Sequence, residues 1–488
     1  MEPTVRTPWS WLFWLPDRLD PPCSRVLLAA SRGIDRCHKE SSVGVTLINP
    51  LWTRGRKLRG PVYNRVWPPL SLATAAAMIR DVGVEVSVVD ANAERIAAED
   101  LPSLIDGDLA FVTSSTLDKW VCPNTELEPF LAAVKSVKSV IPRVVVVGVH
   151  GTVKPAEMLR ETGAYAVVLG EPEATMRDLA RGTPRELTPG VAYLDQGGLV
   201  TTEPRPLLDL AVFPVPAMDL LPMARYRYEI LGDRLMLLEA TRGCPHGCRF
   251  CLRAMYGGRA FRRKPAEHVC REIREAVLTH GARSLYFIDI EFTIDRASAL
   301  AVCDCIEDLG EPVPWCCQTR ADSLDQALLH RMHQVGCTLV HFGVESGSDR
   351  VLAGIHKGET TDTIRAGVRM AQDAGMETAC FFMFGFPGET PDDMEATLRF
   401  AMDLAPTYAS FHVLEPYPGT PLADDLGDAV TGDFFPFAYG FPGVDLKAVQ
   451  RKALLRYYLR PGYAFRRLTR GSFSMLARQI GIFADYLR

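Results

Sequence analysis

The stretch Thr241-Arg-Gly-Cys244-Pro-His-Gly-Cys248-Arg-Phe-Cys251 directly follows the apolar run Leu235-Met-Leu-Leu-Glu-Ala240. Its cysteines are spaced four and three residues apart, so three thiolates from one short loop can hold a cubane iron–sulfur cluster. Such a cluster keeps one iron without a protein ligand, and an open iron can bind a substrate or a cofactor. The stretch therefore predicts a catalytic [4Fe–4S] centre held by Cys244, Cys248 and Cys251 at the end of a strand.

Buried core thiols, disulfides and a zinc site are the alternatives for these cysteines. A tetrahedral zinc site needs a fourth Cys or His ligand, and only His246 lies nearby in the sequence. The spacing, with the aromatic Phe250 before the third cysteine, resembles the signature of the radical S-adenosylmethionine (SAM) superfamily. The resemblance implies a [4Fe–4S] cluster with SAM bound at its open iron and Phe250 beside the SAM.

The composition describes a globular protein of more than one domain. With 488 residues the chain is too long for one ordinary core, so we expect two large domains and an appendage. A net charge of −5 gives no overall attraction to nucleic acid, and no nucleic-acid partner is expected. Thirteen cysteines without the spacing of a disulfide framework favour a reducing compartment, the cytoplasm. The N-terminal apolar stretch is short and proline-bounded, which argues against a signal peptide.

From about Gly44, apolar strand patterns alternate with helical patterns. This alternation predicts a Rossmann-like, doubly wound parallel sheet that is covered by helices on both faces. The predicted strands are 45–50, 84–90, 109–114, 143–148 and 166–170, and the predicted helices are 70–82, 126–140 and 155–162.

Ligands of such sheets bind beyond the carboxyl ends of the strands, where this chain carries Gly, Ser, Thr and Asn. The ordinary turn preference of these residues is the alternative explanation. A strand ending in Gly148-Val-His-Gly151, a helix, and a strand ending in Gly170-Glu-Pro-Glu173 resemble the cobalamin-binding domain of one large radical SAM subfamily. The residues that the resemblance implies at cobalamin are Asn49, Thr113, Ser114, Ser115, Gly148, Val149, His150, Gly170 and Glu171.

One departure from other cobalamin domains concerns the lower cobalt ligand. Many of these domains carry an Asp-x-His-x-x-Gly motif whose His binds cobalt, whereas the comparable stretch here is Asp90-Ala-Asn-Ala-Glu-Arg95. The resemblance therefore implies a cobalamin with its own base displaced and no histidine ligand. His150 is expected at the periphery of the cofactor.

After a proline-rich connector at 201–233, a second series of strands and helices begins. Its predicted strands are 235–240, 284–290, 313–319, 338–344, 377–384 and 408–414. Six such units predict a partial (β/α)6 barrel, whose working loops lie at the carboxyl ends of the strands. The predicted domains are 1–42 (extension), 43–200 (cobalamin-binding), 201–233 (linker), 234–430 (radical SAM barrel) and 431–488 (helical region).

Charged side chains follow several of these strands. Asp289 and Glu291 suit the ammonium group of SAM, and Arg320 suits its carboxylate. The stretch Gly343-Val-Glu345-Ser-Gly347 closely resembles a family segment, which implies SAM contacts from Glu345 and Ser346. Capping of the next helix is the alternative use of these carboxylates.

The C-terminal stretch from Leu446 interleaves basic and apolar residues over two predicted helices that are divided at Pro461-Gly462. A basic amphipathic pair can make peripheral contact with a membrane surface or an anionic substrate. A packing appendage with a solvated basic face is the alternative.

The resemblance implies a cobalamin-dependent radical SAM methyltransferase. One electron in the cluster would cleave SAM to a 5′-deoxyadenosyl radical, which abstracts hydrogen from an unactivated carbon, and cobalamin would then donate the methyl group. The implied partners are a small-molecule or natural-product substrate and a one-electron reductant such as flavodoxin or ferredoxin. A radical cyclase or oxidoreductase of the anaerobic magnesium-protoporphyrin ester cyclase type and a non-enzymatic cobalamin sensor are the alternatives. A transfer-RNA methylthiotransferase is disfavoured, because only Cys122 lies between Gly44 and Thr201.

Overall fold

The computed structural model describes residues 44–52, 66–432 and 434–463, which all belong to one compact unit. The predicted extension 1–42 and the C-terminal part of the basic region, including Arg466 and Arg470, lie outside the described residues. No helix in the described ranges is long and apolar enough to cross a membrane.

The first sheet has seven strands in the order β2-β1-β3-β4-β5-β6-β7. Strands β1 to β5 pair in parallel, and β6 and β7 extend the sheet in antiparallel fashion. The strands are β1 Val45–Asn49, β2 Val86–Asp90, β3 Leu109–Thr113, β4 Arg143–Val147, β5 Ala166–Val168, β6 Val191–Asp195 and β7 Gly198–Thr201. The predicted parallel sheet is confirmed, and the β6–β7 hairpin is an addition that the strand patterns did not indicate.

Helices cover both faces of this sheet. They are α1 Leu70–Arg80, α2 Ala91–Glu94, α3 Glu128–Lys138, α4 Val149–Val153, α5 Pro155–Thr162 and α6 Glu173–Ala180. Alternate strand residues enter two separate cores, because successive side chains of a strand point to opposite faces. Leu47 packs in the core that contains Met176 of α6, while Ile48 packs in the core that contains Phe130 of α3.

The connector contains three short 3-10 helices, Leu210–Val212, Met218–Leu220 and Met223–Arg225, and a short antiparallel pair, β8 Arg227–Tyr228 with β9 Gly232–Asp233. Six parallel strands then form the second sheet in the order β10-β13-β14-β15-β16-β17. The strands of this half are β10 Leu235–Leu238, β11 Thr241–Gly243, β12 Phe261–Arg263, β13 Ser284–Phe287, β14 Trp315–Thr319, β15 Cys337–Glu345, β16 Glu377–Phe384 and β17 Tyr408–Val413. All six predicted strands are present in the predicted order, and their closure into a partial barrel stays a prediction.

Helices follow the strands of the second sheet and bury its outer face. They are α7 Ala266–Arg274, α8 Arg296–Glu307, α9 Gln326–Gln334, α10 Asp349–Gly354, α11 Thr361–Asp373 and α12 Pro391–Leu404. A disulfide between Cys270 and Cys305 joins α7 to α8. Large apolar side chains such as Trp315, Phe342 and Phe382 are almost completely buried on this face.

The C-terminal elements are α13 Pro421–Leu426, β18 Val430–Thr431, β19 Ala438–Tyr439 and α14 Leu446–Tyr458. Helix α14 is the first of the two predicted basic helices, and it packs against β17. Tyr457 is fully buried and donates a hydrogen bond to the Pro406 carbonyl, while the Tyr458 hydroxyl bonds the backbone of Ala409. These contacts support the packing role for α14, and membrane contact stays a prediction.

Candidate cluster and cofactor site

The cysteine loop leaves the second sheet through β11 and returns through β12. These strands pair antiparallel, with Thr241 opposite Arg263 and Gly243 opposite Phe261, and so they close the base of the loop. Gly243 has a φ of +94°, and a Cβ there would lie 2.1 Å from the Ala260 carbonyl oxygen. Only glycine fits this position, directly before Cys244.

The three thiols of the loop are free and close together. Cys244 is buried, and Cys248 and Cys251 are half-buried. Burial, with a further contribution from the neighbouring thiolates of Cys248 and Cys244, raises the pKa of Cys251 to about 12. Positive charge at the three sulfurs would relieve this cost, so the donor set suits a cationic iron–sulfur core.

The zinc alternative receives no support from the geometry. Within the described ranges, no group of three or more His, Cys, Asp or Glu side chains could hold a metal ion, including any group around His246. A cubane does not need three ligands to converge on one ion, because each thiolate binds a different iron.

Neighbouring segments hold the loop in place. The Arg249 amide donates to the Ile355 carbonyl at 3.0 Å, and the Leu422 amide donates to the Arg249 carbonyl at 3.1 Å. The ring of Phe250 packs edge-on against Phe386, with 5.6 Å between centroids. Phe250 thus connects the cysteine loop to the loop after β16.

Asp289 and Glu291 lie beyond β13 in different settings. Asp289 accepts hydrogen bonds from the Ala240 and Thr241 amides, and burial raises its pKa to about 7. Glu291 Oε1 accepts bonds from the Thr319 and Ser323 hydroxyls at 2.7 and 2.6 Å. The buried Glu291 Oε2 has no hydrogen-bond partner among the described residues. Of the two carboxylates, Glu291 is therefore the one with an acceptor to offer to a ligand.

Arg320 is already engaged within the protein. Its guanidinium forms a two-pronged contact with Asp322 at 2.8 and 2.6 Å and donates to the Lys357 carbonyl at 2.8 Å. These contacts occupy most of the guanidinium N–H donors of Arg320, which the sequence analysis assigned to the SAM carboxylate. Binding of SAM by Arg320 therefore stays a prediction.

The end of β15 carries a buried ion pair that sequence reasoning did not include. Lys357 Nζ lies 3.7 Å from Glu345 and 3.4 Å from Glu359. Burial acts to lower the pKa of Lys357, but these two carboxylates outweigh burial and raise it. Glu345 has a φ of +67°, a strained conformation for a side-chain-bearing residue. Ser346 lies beside it and bonds the Thr397 hydroxyl of α12 at 3.1 Å.

At the first sheet, the ends of β3 and β4 meet closely. A Cβ on Gly148, whose φ is +112°, would lie 2.7 Å from the hydroxyls of both Ser114 and Ser115. The Val149 amide donates to Ser115 at 2.9 Å, and the Thr113 hydroxyl donates to the Ser115 carbonyl at 2.7 Å. The small residues of this rim therefore let two strand ends approach each other.

His150 and Asn49 form internal hydrogen bonds at the same rim. The His150 ring nitrogens lie 3.0 Å from the Ser114 hydroxyl and 2.7 Å from the Asn124 carbonyl. Burial lowers the pKa of His150 to about 4, so the ring is neutral at pH 7. Asn49 donates to Asp90 at 2.9 Å. With both nitrogens of His150 engaged, the ring has no lone pair directed at a cobalt ion.

A cavity of about 280 Å³ lies beyond β5. Gly170, Glu171 and Thr152 of the first sheet line it together with Met255 and Gly257, which follow the cysteine loop. Gly170 has a φ of +71° and no atom within 4 Å of an added Cβ. This open space, the cradle, lies at one of the strand ends where the resemblance expects cobalamin.

Arg242 joins the two halves of the site. Its side chain is 0% exposed and forms ion pairs with Glu171 at 3.2 Å, Glu173 at 3.0 Å and Glu239 at 2.6 Å. Nearby, the Thr152 hydroxyl contacts the Met255 sulfur at 3.2 Å. Residues on both sides of the cysteine loop, Arg242 and Met255, therefore contact the carboxyl ends of the first sheet directly.

Comparisons with known proteins agree with this geometry. The Radical SAM superfamily model matches residues 238–401, and the B12 binding domain model matches residues 57–180. An uncharacterized methyltransferase of Pyrococcus horikoshii is 31% identical over 424 residues, which cover 82% of this chain and 90% of that protein. The chain belongs to the cobalamin-binding radical SAM family. Its predicted cofactors, a [4Fe–4S] cluster, SAM and cobalamin, are confirmed at the level of the family.

Other known proteins are also similar to this radical SAM enzyme in sequence or in fold. Anaerobic magnesium-protoporphyrin IX monomethyl ester cyclase of Cereibacter sphaeroides is 26% identical over 80% of this chain and 65% of the cyclase. The fold resembles the radical SAM methyltransferase TsrM of Kitasatospora setae, with a TM-score of 0.68, 19% identity and coverage of 86% of this chain and 90% of TsrM. It also resembles the cobalamin-dependent radical enzyme OxsB, with a TM-score of 0.71, 16% identity and coverage of 91% of this chain and 72% of OxsB. These similarities confirm the predicted α/β fold class.

The Arg242 network gives a prediction about stability. Arg242→Met leaves the buried Glu173 and Glu239 and the half-buried Glu171 without their shared partner, so we expect the free energy of unfolding to fall by about 3–5 kcal/mol. Denaturant unfolding of the anaerobic protein without added cofactors measures this loss. The control is Arg296→Met, which removes an exposed pair with Asp325 and is expected to cost under about 1 kcal/mol. Equal losses in the two variants would contradict the network.

His150 gives a prediction about pH. Its folded pKa of about 4 lies below the unfolded value of about 6.5, so the unfolded state takes up the proton first as pH falls. Stability from the neutral ring is complete above pH 6.5 and is lost toward pH 4, at about 1 kcal/mol per pH unit. We expect the free energy of unfolding, measured with urea at pH 7, 6 and 5, to fall less steeply with decreasing pH for His150→Gln than for the wild type. The exposed His330→Gln should keep the wild-type slope, and an unchanged His150→Gln slope would refute the assignment.

Proposed function

We propose that this enzyme transfers a methyl group from SAM, through cobalamin, to a small molecule. The observation that supports the proposal is the junction at Arg242 and Met255, where the end of the first sheet contacts the residues on both sides of the cysteine loop. A methyl donor site and a radical-generating site must lie close together for such a reaction. The Pyrococcus relative, which this chain covers almost completely, is named a methyltransferase, while the chain matches a smaller share of the cyclase.

In this proposal, Cys244, Cys248 and Cys251 hold the cluster. When bound, the cluster supplies one electron to SAM, and cobalamin carries the methyl group. The buried Glu291 Oε2 and the Glu345–Lys357 pair are the groups that we assign to SAM. An acceptor without a partner suits an ammonium group, because a charge-assisted bond satisfies both groups. Asp289 and Arg320 then support the rim through their local contacts.

The two matched segments support the proposed division of labour between the domains. Residues 57–180 fall within the proposed cobalamin domain, 43–200, and residues 238–401 fall within the proposed radical SAM domain, 234–430. The cobalamin contacts are assigned to the ends of β3, β4 and β5. There Gly148 brings two strands together, and Gly170 leaves the cradle open.

The inner face of the second sheet is the proposed substrate surface. Strand register places Gln318 beside His341, Phe381 beside Ser410, and Met383 beside His412 on this face. Their side chains carry no carboxylate, ammonium or guanidinium group, and all except His341 are half-buried rather than fully enclosed. The His341 ring stacks near Phe381, with 5.9 Å between centroids. These ring, amide, hydroxyl and thioether groups suit an uncharged small molecule or natural product, bound by stacking and hydrogen bonds.

The cluster assignment is tested with cysteine variants. We expect Cys248→Ala to lose the iron and acid-labile sulfide of the reconstituted cluster, because two remaining thiolates cannot hold it. Formation of 5′-deoxyadenosine from SAM with dithionite should then fall to background. Cys303→Ala removes a buried thiol of α8 and should keep both properties. A Cys248→Ala protein with full iron and full SAM cleavage would exclude the proposed centre, and wild-type protein that makes no S-adenosylhomocysteine with cobalamin present would exclude methyl transfer.

The cobalamin cradle is tested at Gly170. Gly170→Val places a branched side chain in the cavity, and overpacking of about 1–3 kcal/mol corresponds to cobalamin affinity at least about fivefold weaker. Equilibrium dialysis with hydroxocobalamin measures the affinity. Gly182→Val is the matched control, because Gly182 also has a positive φ of +93° and open space around an added Cβ, but it does not line the cavity. If both variants bind cobalamin equally, the cradle is misassigned.

A further inference from the structure

The hairpin that carries the cluster cysteines is strongly basic. Residues 243–264 contain six Arg or Lys residues and no Asp or Glu, in a chain whose net charge is −5. Four of the six cations have carboxylate partners elsewhere in the fold. These pairs are Arg249–Asp425, Arg262–Glu171, Arg263–Asp295 and Lys264–Glu272.

The other two cations, Arg253 and Arg259, form the arginine patch. Among the described residues, neither guanidinium has an Asp or Glu within ion-pair distance. Instead, Arg253 donates to the His246 carbonyl, and Arg259 donates to the Pro245 carbonyl at 2.7 Å. Arg259 is exposed and Arg253 is half-buried, so both side chains are at least partly accessible to solvent.

We propose that the arginine patch is the docking surface for an acidic one-electron carrier protein of the flavodoxin or ferredoxin type. This inference rests on the proposed function, in which the reduced centre of the carrier loses one electron and the cluster gains it. The rate of electron transfer falls steeply with distance, so the carrier must approach the loop that holds the cluster. Unpaired cations at that place attract an acidic surface and speed its encounter.

A second use of these charges is to stabilise the thiolates from within. Burial has the largest effect on the Cys251 pKa and raises it, while the charge of Arg253 acts in the opposite direction. The two roles differ in their consequences. Internal stabilisation affects every reductant alike, whereas docking affects protein donors and leaves small reductants unaffected.

The test compares the double variant Arg253→Gln/Arg259→Gln with Arg181→Gln/Arg225→Gln, which changes two exposed arginines outside the cysteine hairpin and gives the same change in net charge. Calorimetry measures binding of oxidised flavodoxin and of oxidised ferredoxin to the reconstituted holoenzyme at low and high salt. In parallel, 5′-deoxyadenosine formation is driven by each reduced carrier or by dithionite.

We expect the patch variant to bind the carrier at least about tenfold more weakly at low salt, with a reduced salt dependence, since steering by charge spans about 10- to 1000-fold. Its carrier-driven rate should fall similarly, while the dithionite-driven rate and the iron content stay at wild-type level. Equal loss with dithionite, unchanged carrier binding, the same weakening in the control variant, or no binding of either carrier to the wild type would each overturn the docking surface. Absence of dithionite-driven SAM cleavage in the wild type would instead refute the proposed function.

Discussion

The buried positive charge of Arg242 constrains the whole site. A guanidinium with 0% exposure loses its hydration, and several kcal/mol of this cost must be offset by ion pairs of good geometry. Glu239 of its own half supplies one partner, whereas Glu171 and Glu173 come from the end of β5 in the first sheet. Because Arg242 precedes Cys244 by only two residues, neutralising this charge also fixes the base of the cysteine loop against the cobalamin-binding half.

The elements of the fold were largely predictable, because apolar strands that alternate with helices have one common solution, a parallel sheet with covered faces. Strand β16 has the predicted bounds, but β13 ends at Phe287 rather than at residue 290. The apolar Ile288 and Ile290 continue the strand pattern, yet Asp289 turns to accept the amides of Ala240 and Thr241. Such a contact spans 49 positions, and a local pattern carries no information about it.

The strand ends that form the site could be predicted from the sequence, but the side chains that pair with each other there could not. Sequence reasoning placed Glu291, Arg320 and Glu345 at one rim, and the structure does bring all three to the ends of consecutive strands. It could not show that Arg320 is engaged by Asp322, or that Lys357 returns to pair with Glu345. Arg242 belongs to the same stretch as the cluster cysteines, but its partner Glu171 lies 71 positions away in the sequence. The role of a charged side chain therefore depends on neighbours that are brought close to it only by folding.

Charged and uncharged side chains lie in different parts of the proposed site. Charged groups lie at the rims, where Glu291, Glu345 and Lys357 are buried. The inner face of the second sheet, around Phe381 and His412, carries rings, amide and hydroxyl groups instead. In the proposed reaction a carbon-centred radical forms on the substrate, and uncharged neighbours offer it fewer groups for side reactions. In the proposed function, the quoted motifs therefore mark the rim, while the substrate surface is formed by inner-face positions outside those motifs.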